Sequence, residues 1–371
     1  MNRRQPKVLF QIRWDASKSP GGDFVQLQKT MQVLDELRLA KVNLSFDPDG
    51  DLSDVDLVHI FNLTRLHETY RYAANAIRQS KPYVLSSIWH AFDDLRPYYL
   101  RLGGLAGGVV RCFGVSGFLA LKELMYGAKG HRLPPLALVT KWMERLQWTL
   151  ANAAAVLPNS EAELEVLKRD SGVVPALHFV VPNAVDQLPE AKHAPAPRDK
   201  IVLCAARIEP MKNQLSLIDA FKANSDFDDA RLVFAGQHNQ VHRKFFHLFQ
   251  QALVPGRVEW LGPVPHDELM HWFSRSSVVA LTSFFETTGL VGLEALSRGA
   301  NVAMTDRGYT RDYYHDYVCY CDPYSVPSIS KALTRALRYN RRPSEDYFAR
   351  YSWERAATET VKAYQAVLDR N

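Results

Sequence analysis

Glu286 and Glu294 stand on either side of Gly289 in the run SFFETTGLVGLEA, residues 283–295. The run follows an apolar stretch at 278–281 and opens a helical pattern that ends near Gly299. A strand, a short glycine turn and a helix leave backbone N–H groups unpaired at the helix start. With the helix dipole, those donors make a seat for an anion such as phosphate. Glu286 in the turn reaches over that seat. Glu294, one helical turn beyond Leu290, points its carboxylate to the same end, where it can accept hydrogen bonds from two sugar hydroxyls. Each acid also has a plain account: Glu286 as a solvated loop residue, Glu294 as an i,i+4 partner of Arg298 worth about 0.3 kcal/mol.

Two cations follow another apolar run, 201–205, in the segment ARIEPMKN at 206–213. In a parallel sheet, Arg207 and Lys212 face the same crevice as the Glu286 turn. The Arg fork grips phosphate oxygens and the Lys adds a point charge, so the pair can clamp a diphosphate and neutralise it as it leaves. The first half has a matching turn, Pro20-Gly21-Gly22-Asp23, where glycines at a helix start admit a phosphate close to the backbone. His90, in the run IWHAF, follows a further strand and points to the crevice. Taken alone, a flexible turn and a structural histidine explain these two equally well.

These residues need a scaffold that brings loop ends together. The 371 residues suffice for two domains of ~150. Hydrophobic residues at 47% and charged residues at 23% exclude a disordered or fibrous chain. A net charge of +5 suits anionic substrates or a membrane surface, but is too small for a dedicated nucleic-acid protein. Cys112, Cys204, Cys319 and Cys321 have neither disulfide-framework nor zinc spacing and are expected as reduced thiols of a cytosolic chain. The apolar run at 8–12 is too short for a signal-peptide core, so a cytoplasmic location is expected.

Continuous apolar runs mark strands at 8–12, 55–61, 83–88, 154–158, 179–181, 201–206, 232–235, 258–261, 278–281 and 301–304. Helical patterns lie between them at 26–38, 214–222, 267–275, 290–298 and 327–338, with another at 352–368. Repeated strand–helix units imply a doubly wound α/β architecture. The proline-rich 188–200 is expected as a linker between domains at 1–187 and 201–350, leaving a C-terminal helix in 351–371. Two such sheets are expected to face each other across an interdomain cleft that holds the site. The stretch 102–121 is long enough to span a bilayer, but Arg111 near its middle and six glycines argue against spanning. That leaves an interfacial surface or lid, or an ordinary buried segment.

In this order, the residues resemble the retaining GT-B-fold glycosyltransferases of family 4, the glycosyl transferases group 1. The resemblance is carried by the Glu286/Glu294 spacing, Arg207 and Lys212, Gly21-Gly22, Pro182-Asn183-Ala184-Val185-Asp186 and Ser352-Trp353-Glu354. It implies a GT-B fold of two Rossmann-like domains and a nucleotide-diphosphate sugar as donor. Arg207, Lys212 and the backbone N–H groups of Thr288, Gly289 and Leu290 would then hold the diphosphate. Glu294 would hold the ribose and Glu286 a hydroxyl of the transferred sugar. The base would lie near Gly236 and the Val264-Pro265 turn, Gly22 by the distal phosphate, and His90 near the reacting sugar and the acceptor. The family's C-terminal helix crosses back onto the first domain.

No cofactor and no metal are implied, since front-face attack lets the leaving phosphate take the acceptor's proton. Asp54-Val55-Asp56 precedes a strand instead of following one, which disfavours a metal-diphosphate site. The sequence departs from the family at Asn213, Asn301, Gly308-Tyr309 and Asp312, all nearer the sugar pocket than the phosphate site. The insertion 93–149 has no family counterpart and is rich in glycine, aromatic and basic residues, including Arg96, Arg101 and Arg111. It is expected to border the acceptor, glycan or lipid-linked, and to make peripheral contact with the inner membrane. The expected setting is bacterial cell-surface polysaccharide assembly, with no nucleic-acid partner. A sugar-nucleotide epimerase, a phosphorylase and a non-catalytic two-lobed binding protein are the alternatives.

Overall fold

The computed structural model describes residues 4–18, 21–127, 141–186 and 198–370. The chain divides into two compact units, Met1–Asn183 with Tyr351–Asn371, and Ala184–Arg350. Most of the expected linker, 188–197, lies outside the described residues.

The first unit is built on a five-stranded parallel sheet of β1 (Lys7–Gln11), β2 (Lys41–Ser45), β3 (Leu57–Phe61), β4 (Tyr83–Ser86) and β5 (Ala155–Leu157), in the order β2-β1-β3-β4-β5. Strands β3, β4 and β5 are buried throughout, as strands covered on both faces must be. His59 of β3 is fully buried, hydrogen-bonded to the Tyr364 hydroxyl at 2.7 Å and to Ser86 Oγ at 2.9 Å. Burial pushes its imidazole down to about 3, so the ring is neutral at pH 7. Tyr364 lies on the Trp353–Leu368 helix, so this buried bond fastens the C-terminal helix into the first unit.

The second unit holds a six-stranded parallel sheet of β6 (Asp199–Ala205), β7 (Arg231–Ala235), β8 (Val258–Trp260), β9 (Ser276–Leu281), β10 (Asn301–Thr305) and β11 (Cys319–Cys321), in the order β11-β10-β9-β6-β7-β8. The chain winds outward from β6 through β7 and β8, then returns to the other side of β6 with β9. The order therefore reverses between β6 and β9, and ligands of such sheets bind at the carboxyl ends of the strands flanking that reversal. The core includes Phe221, Leu232, Phe234, Phe249 and Leu333, all essentially inaccessible to water.

Three local differences from the sequence expectations have physical causes. Residues 179–181 form no strand; the neighbouring His178 makes an isolated parallel bridge to Val156. Strand β2 was not expected because it is a half-exposed edge strand carrying Lys41, Asn43 and Ser45. Strand β11 is only three residues long. Within 93–149 the chain forms the helices Phe92–Leu102, Gly104–Gly127 and Trp142–Ala151, the second interrupted at Gly114 (φ 71°). Its most apolar window is only 22% buried, which removes the reading of 102–121 as an ordinary buried segment. Lys129 and Arg132 lie outside the described residues.

Candidate active site

The loop leaving β6 makes a single 3₁₀ turn at Pro210–Lys212 and ends on Asn213 in the left-handed conformation (φ 55°). Asn tolerates that conformation better than other side-chain-bearing residues, so it serves where the family has glycine. Its Nδ2 donates to the carbonyls of Thr282 (3.1 Å) and Pro323 (2.8 Å), tying the loops after β6, β9 and β11 together. The Phe284 amide donates to the Met211 carbonyl at 2.9 Å, adding a second stitch between the β6 and β9 loops.

Those stitches place Lys212 Nζ 2.6 Å from Glu286 Oε1, across 74 residues of sequence. Ser283 Oγ donates to the same carboxylate oxygen at 2.5 Å. The backbone of Glu286 is held by a parallel bridge to Gly308 and by the Tyr309 amide, which donates to the Glu286 carbonyl at 3.1 Å. Arg207 points its guanidinium to Glu209, at 3.2 Å, whose other oxygen accepts from Asn239 Nδ2 at 2.8 Å. Arg207 and Lys212 thus leave the same strand end but pair with different carboxylates.

Gly289 caps the Leu290–Ser297 helix in the left-handed conformation (φ 72°), and its carbonyl accepts from the buried Tyr314 hydroxyl at 2.6 Å. Gly292 is required there, because a Cβ would stand 2.7 Å from the Tyr314 hydroxyl oxygen. Thr288 is buried beside this turn. Glu294 sits on the second turn of the helix and its charge acts on Arg298. Gly236 leaves β7 at φ 143°, where a Cβ would lie 2.2 Å from the Ala206 carbonyl oxygen. Val264 and Pro265 follow β8, with Pro265 preceding the His266–Arg275 helix. All the second-unit candidates therefore follow the carboxyl ends of β6, β7, β8 and β9.

Gly21, Gly22 and His90 belong to the first unit. Gly22 opens the Gly22–Glu36 helix at the β1/β3 reversal of that sheet, with open space where a Cβ would be. Beside it lies an ion network that the sequence did not reveal. Arg13 binds Asp23 through Nε (2.7 Å) and Nη2 (3.1 Å) and Asp15 through Nη1 (2.7 Å). Asn62 Nδ2 donates to Asp23 at 2.9 Å, and Arg65 pairs with Asp15 at 2.7 Å. Burial alone would raise the Asp23 carboxyl, but Arg13 overrides it and holds the group below the usual carboxylate range. Sequence spacings of 2, 10 and 39 residues carry no periodic signal for such a cluster. His90 is half-buried in the loop that follows β4.

Residues 187–354 match the family described as Glycosyl transferases group 1. The match covers a little under half of the chain. The chain is 27% identical over 181 residues to the uncharacterized glycosyltransferase MJ1607 of Methanocaldococcus jannaschii, covering 46% of each chain. It is 25% identical over 166 residues to the O-antigen chain mannosyltransferase B of Escherichia coli, covering 43% of this chain and 44% of that one. The alignments span about half the length of these curated relatives or less. Among solved structures, Anabaena Alr3699/HepE in complex with UDP and glucose superposes with a TM-score of 0.59 at 16% identity, covering 99% of this chain and 98% of that one. The lipopolysaccharide outer core galactosyltransferase WaaB in its apo form gives 0.59 at 14% identity, covering 97% and 99%. The group 1 segment and the first unit together have the GT-B fold, two parallel-sheet α/β units in one chain.

Proposed function

We propose that the chain is a retaining, metal-independent glycosyltransferase that moves a sugar from a nucleotide-diphosphate sugar to a glycan or lipid-linked acceptor. The observation that carries this reading is the contact of Lys212 with Glu286 at the β6/β9 reversal. A cation there meets the charge of a departing diphosphate, while the adjacent carboxylate accepts from a hydroxyl of the sugar left behind. Arg207 and the N–H groups of Thr288, Gly289 and Leu290 share the diphosphate, and Glu294 takes the ribose. The base rests by Gly236 and the Val264-Pro265 turn. In the first unit, Gly22 admits the distal phosphate and His90 serves the reacting sugar and the acceptor. As the anomeric C–O bond to the diphosphate breaks, the acceptor oxygen bonds the anomeric carbon from the same face. Its proton passes to the released phosphate oxygen. Positioning and charge stabilisation then suffice without a protein nucleophile. Cytoplasmic work on bacterial cell-surface polysaccharide is the setting we favour, since the Escherichia coli relative is an O-antigen enzyme.

The test is nucleoside diphosphate release from UDP-glucose, UDP-galactose, UDP-N-acetylglucosamine and GDP-mannose, with and without lipid and glycan acceptors and with excess EDTA. Release from one donor, stimulated by an acceptor and untouched by EDTA, is the expected result. Loss with EDTA would overturn metal independence. Conversion of the donor without release would favour the epimerase, and dependence on inorganic phosphate the phosphorylase.

The helices around Gly103 support peripheral membrane contact by the same enzyme. The most apolar 18-residue stretch within 104–125 has a mean hydropathy of 1.6, yet Leu105 and Phe113 are 66% and 73% exposed. Arg96, Arg101 and Arg111 are exposed with them, and Glu123, the one acid in 95–125, is buried. Apolar side chains set among cations suit an anionic bilayer surface, at about 1 kcal/mol per basic residue. The protein is expected to float with phosphatidylglycerol vesicles, and the triple change Arg96→Glu, Arg101→Glu, Arg111→Glu to weaken this at least ~10-fold. Equal binding by the variant, or equal binding to neutral phosphatidylcholine, would refute the contact.

A further inference from the structure

The loop that carries His90 leaves β4 through a backbone that ought not to be there. Ile88 has φ 44°, in the left-handed region, where a β-branched residue is a genuine outlier. Such a conformation persists only when its surroundings over-determine it. Here the surroundings are one carboxylate. Glu163, wholly inaccessible to water, accepts through Oε1 from the Ser87 hydroxyl and from the Trp89 amide (3.0 Å), and through Oε2 from the Asn159 amide (3.1 Å). The residues on either side of the strained one, Ser87 and Trp89, are thus both tied to a single side chain.

The sequence carried a partial signal for this residue. Ser160-x-x-Glu163 is a capping box, and Ser160 Oγ does accept from the Glu163 amide at 3.1 Å. In an ordinary capping box the glutamate returns to the backbone of its own cap. Glu163 instead reaches Asn159, one residue earlier, and spends its other oxygen on the β4 exit. Burial pushes its carboxyl up to about 7 against the pull of these donors, so it is a costly group to keep inside.

The far side of His90 is fixed independently. Asp170 accepts from the Trp89 indole N–H at 2.9 Å and from the Phe92 amide at 3.0 Å. Trp89 is itself buried against Phe92 and Trp142, with ring centroids 5.3 and 6.4 Å away. The hub also reaches the glycine turn, since Gln26 Nε2 of the Gly22–Glu36 helix donates to Asn159 Oδ1 at 2.8 Å between two buried side chains.

We propose that Glu163 is a positioning residue for His90: it holds Ser87 and Trp89 on either side of the strained Ile88, and the turn sets where the imidazole stands. The inference rests on the reading that gives His90 a place beside the reacting sugar and acceptor. A role in folding alone would move stability; a role through His90 moves turnover far more than donor binding, most of whose proposed contacts lie in the second unit.

The experiment compares His90→Ala, Glu163→Gln and the double variant in release of UDP or GDP from UDP-glucose and GDP-mannose. Glu163→Gln is expected to lower kcat at least tenfold with donor KM changed less than threefold, and the double variant to be no slower than His90→Ala within a factor of two. If Glu163→Gln does not fold, Ser87→Ala removes one donor to the intact carboxylate and is read in the same way. A slow His90→Ala with normal Glu163→Gln, or a double variant whose losses multiply, overturns the positioning role and leaves the reading of His90 standing. A His90→Ala enzyme of normal rate overturns that reading and the inference with it.

Discussion

Lys212→Ala is expected to slow nucleoside diphosphate release by about 10²–10³-fold, the usual consequence of removing one preorganised charge-stabilising group. The ammonium is held 2.6 Å from Glu286 by a turn that Asn213 and the Met211 carbonyl fasten to the β9 loop. Arg207, the other cation of the loop, is committed to Glu209. Folding should survive the change. The pair is partly accessible to water, with the Lys212 side chain 23% exposed, and Glu286 keeps the Ser283 hydroxyl. The expected cost in stability is therefore about 1–2 kcal/mol, nearer a surface ion pair than a fully buried one. Lys212→Arg should recover only part of the rate, because a planar fork does not fill the position of a compact ammonium. Thermal melts alongside initial rates check both halves of this expectation, and a normal rate in a folded Lys212→Ala would remove the lysine from the reaction.

Gly308→Ala should be the most damaging small substitution in the second unit. A Cβ at this position would lie 1.9 Å from the Glu286 carbonyl oxygen and 3.1 Å from its nitrogen, and φ is 83°. Left-handed strain of ~1–2 kcal/mol adds to overpacking of ~1–3 kcal/mol, so a loss of at least ~3 kcal/mol is expected. The alternative to that loss is displacement of the Glu286 backbone, which would separate its carboxylate from Lys212 and stop turnover. Gly22→Ala is the contrasting case, since the space around its Cβ is open. Chemical denaturation of both variants checks the difference, and an unshifted midpoint for Gly308→Ala would refute the packing argument.

The architecture was legible where strands are buried on both faces, because continuous Val, Leu and Ile runs announce β3, β4, β6, β7 and β9. Strand β2 was hidden by its polar edge, and residues 179–181 imitated a strand by composition alone. The departures from the family pattern show how much a local conformation tolerates. Asn213 occupies the left-handed position directly. Tyr309, at φ −109°, needs no glycine; it packs edge-on to Phe285 at 5.7 Å and binds the Glu286 carbonyl. Asn301 opens β10 with its side-chain oxygen on Arg342. The contact of Lys212 with Glu286 was legible only as two loops at one sheet edge; the direct ion pair depends on stitches from Asn213 and Phe284 that no spacing rule encodes. The Arg13–Asp23–Asn62 network was out of reach for the same reason, and of the Glu163 hub only its capping box showed, since the other partners meet only when segments far apart in sequence become neighbours.

Calorimetric titration of UDP and GDP into the unmodified protein and into Lys212→Ala addresses the central claim, that the β6/β9 reversal holds a nucleoside diphosphate. The account predicts that one of the two nucleotides binds the unmodified protein, that the variant binds it at least ~10-fold more weakly, and that raising the salt narrows the gap. Equal affinity for the nucleotide in the two proteins, or binding of neither UDP nor GDP by the unmodified one, would contradict it.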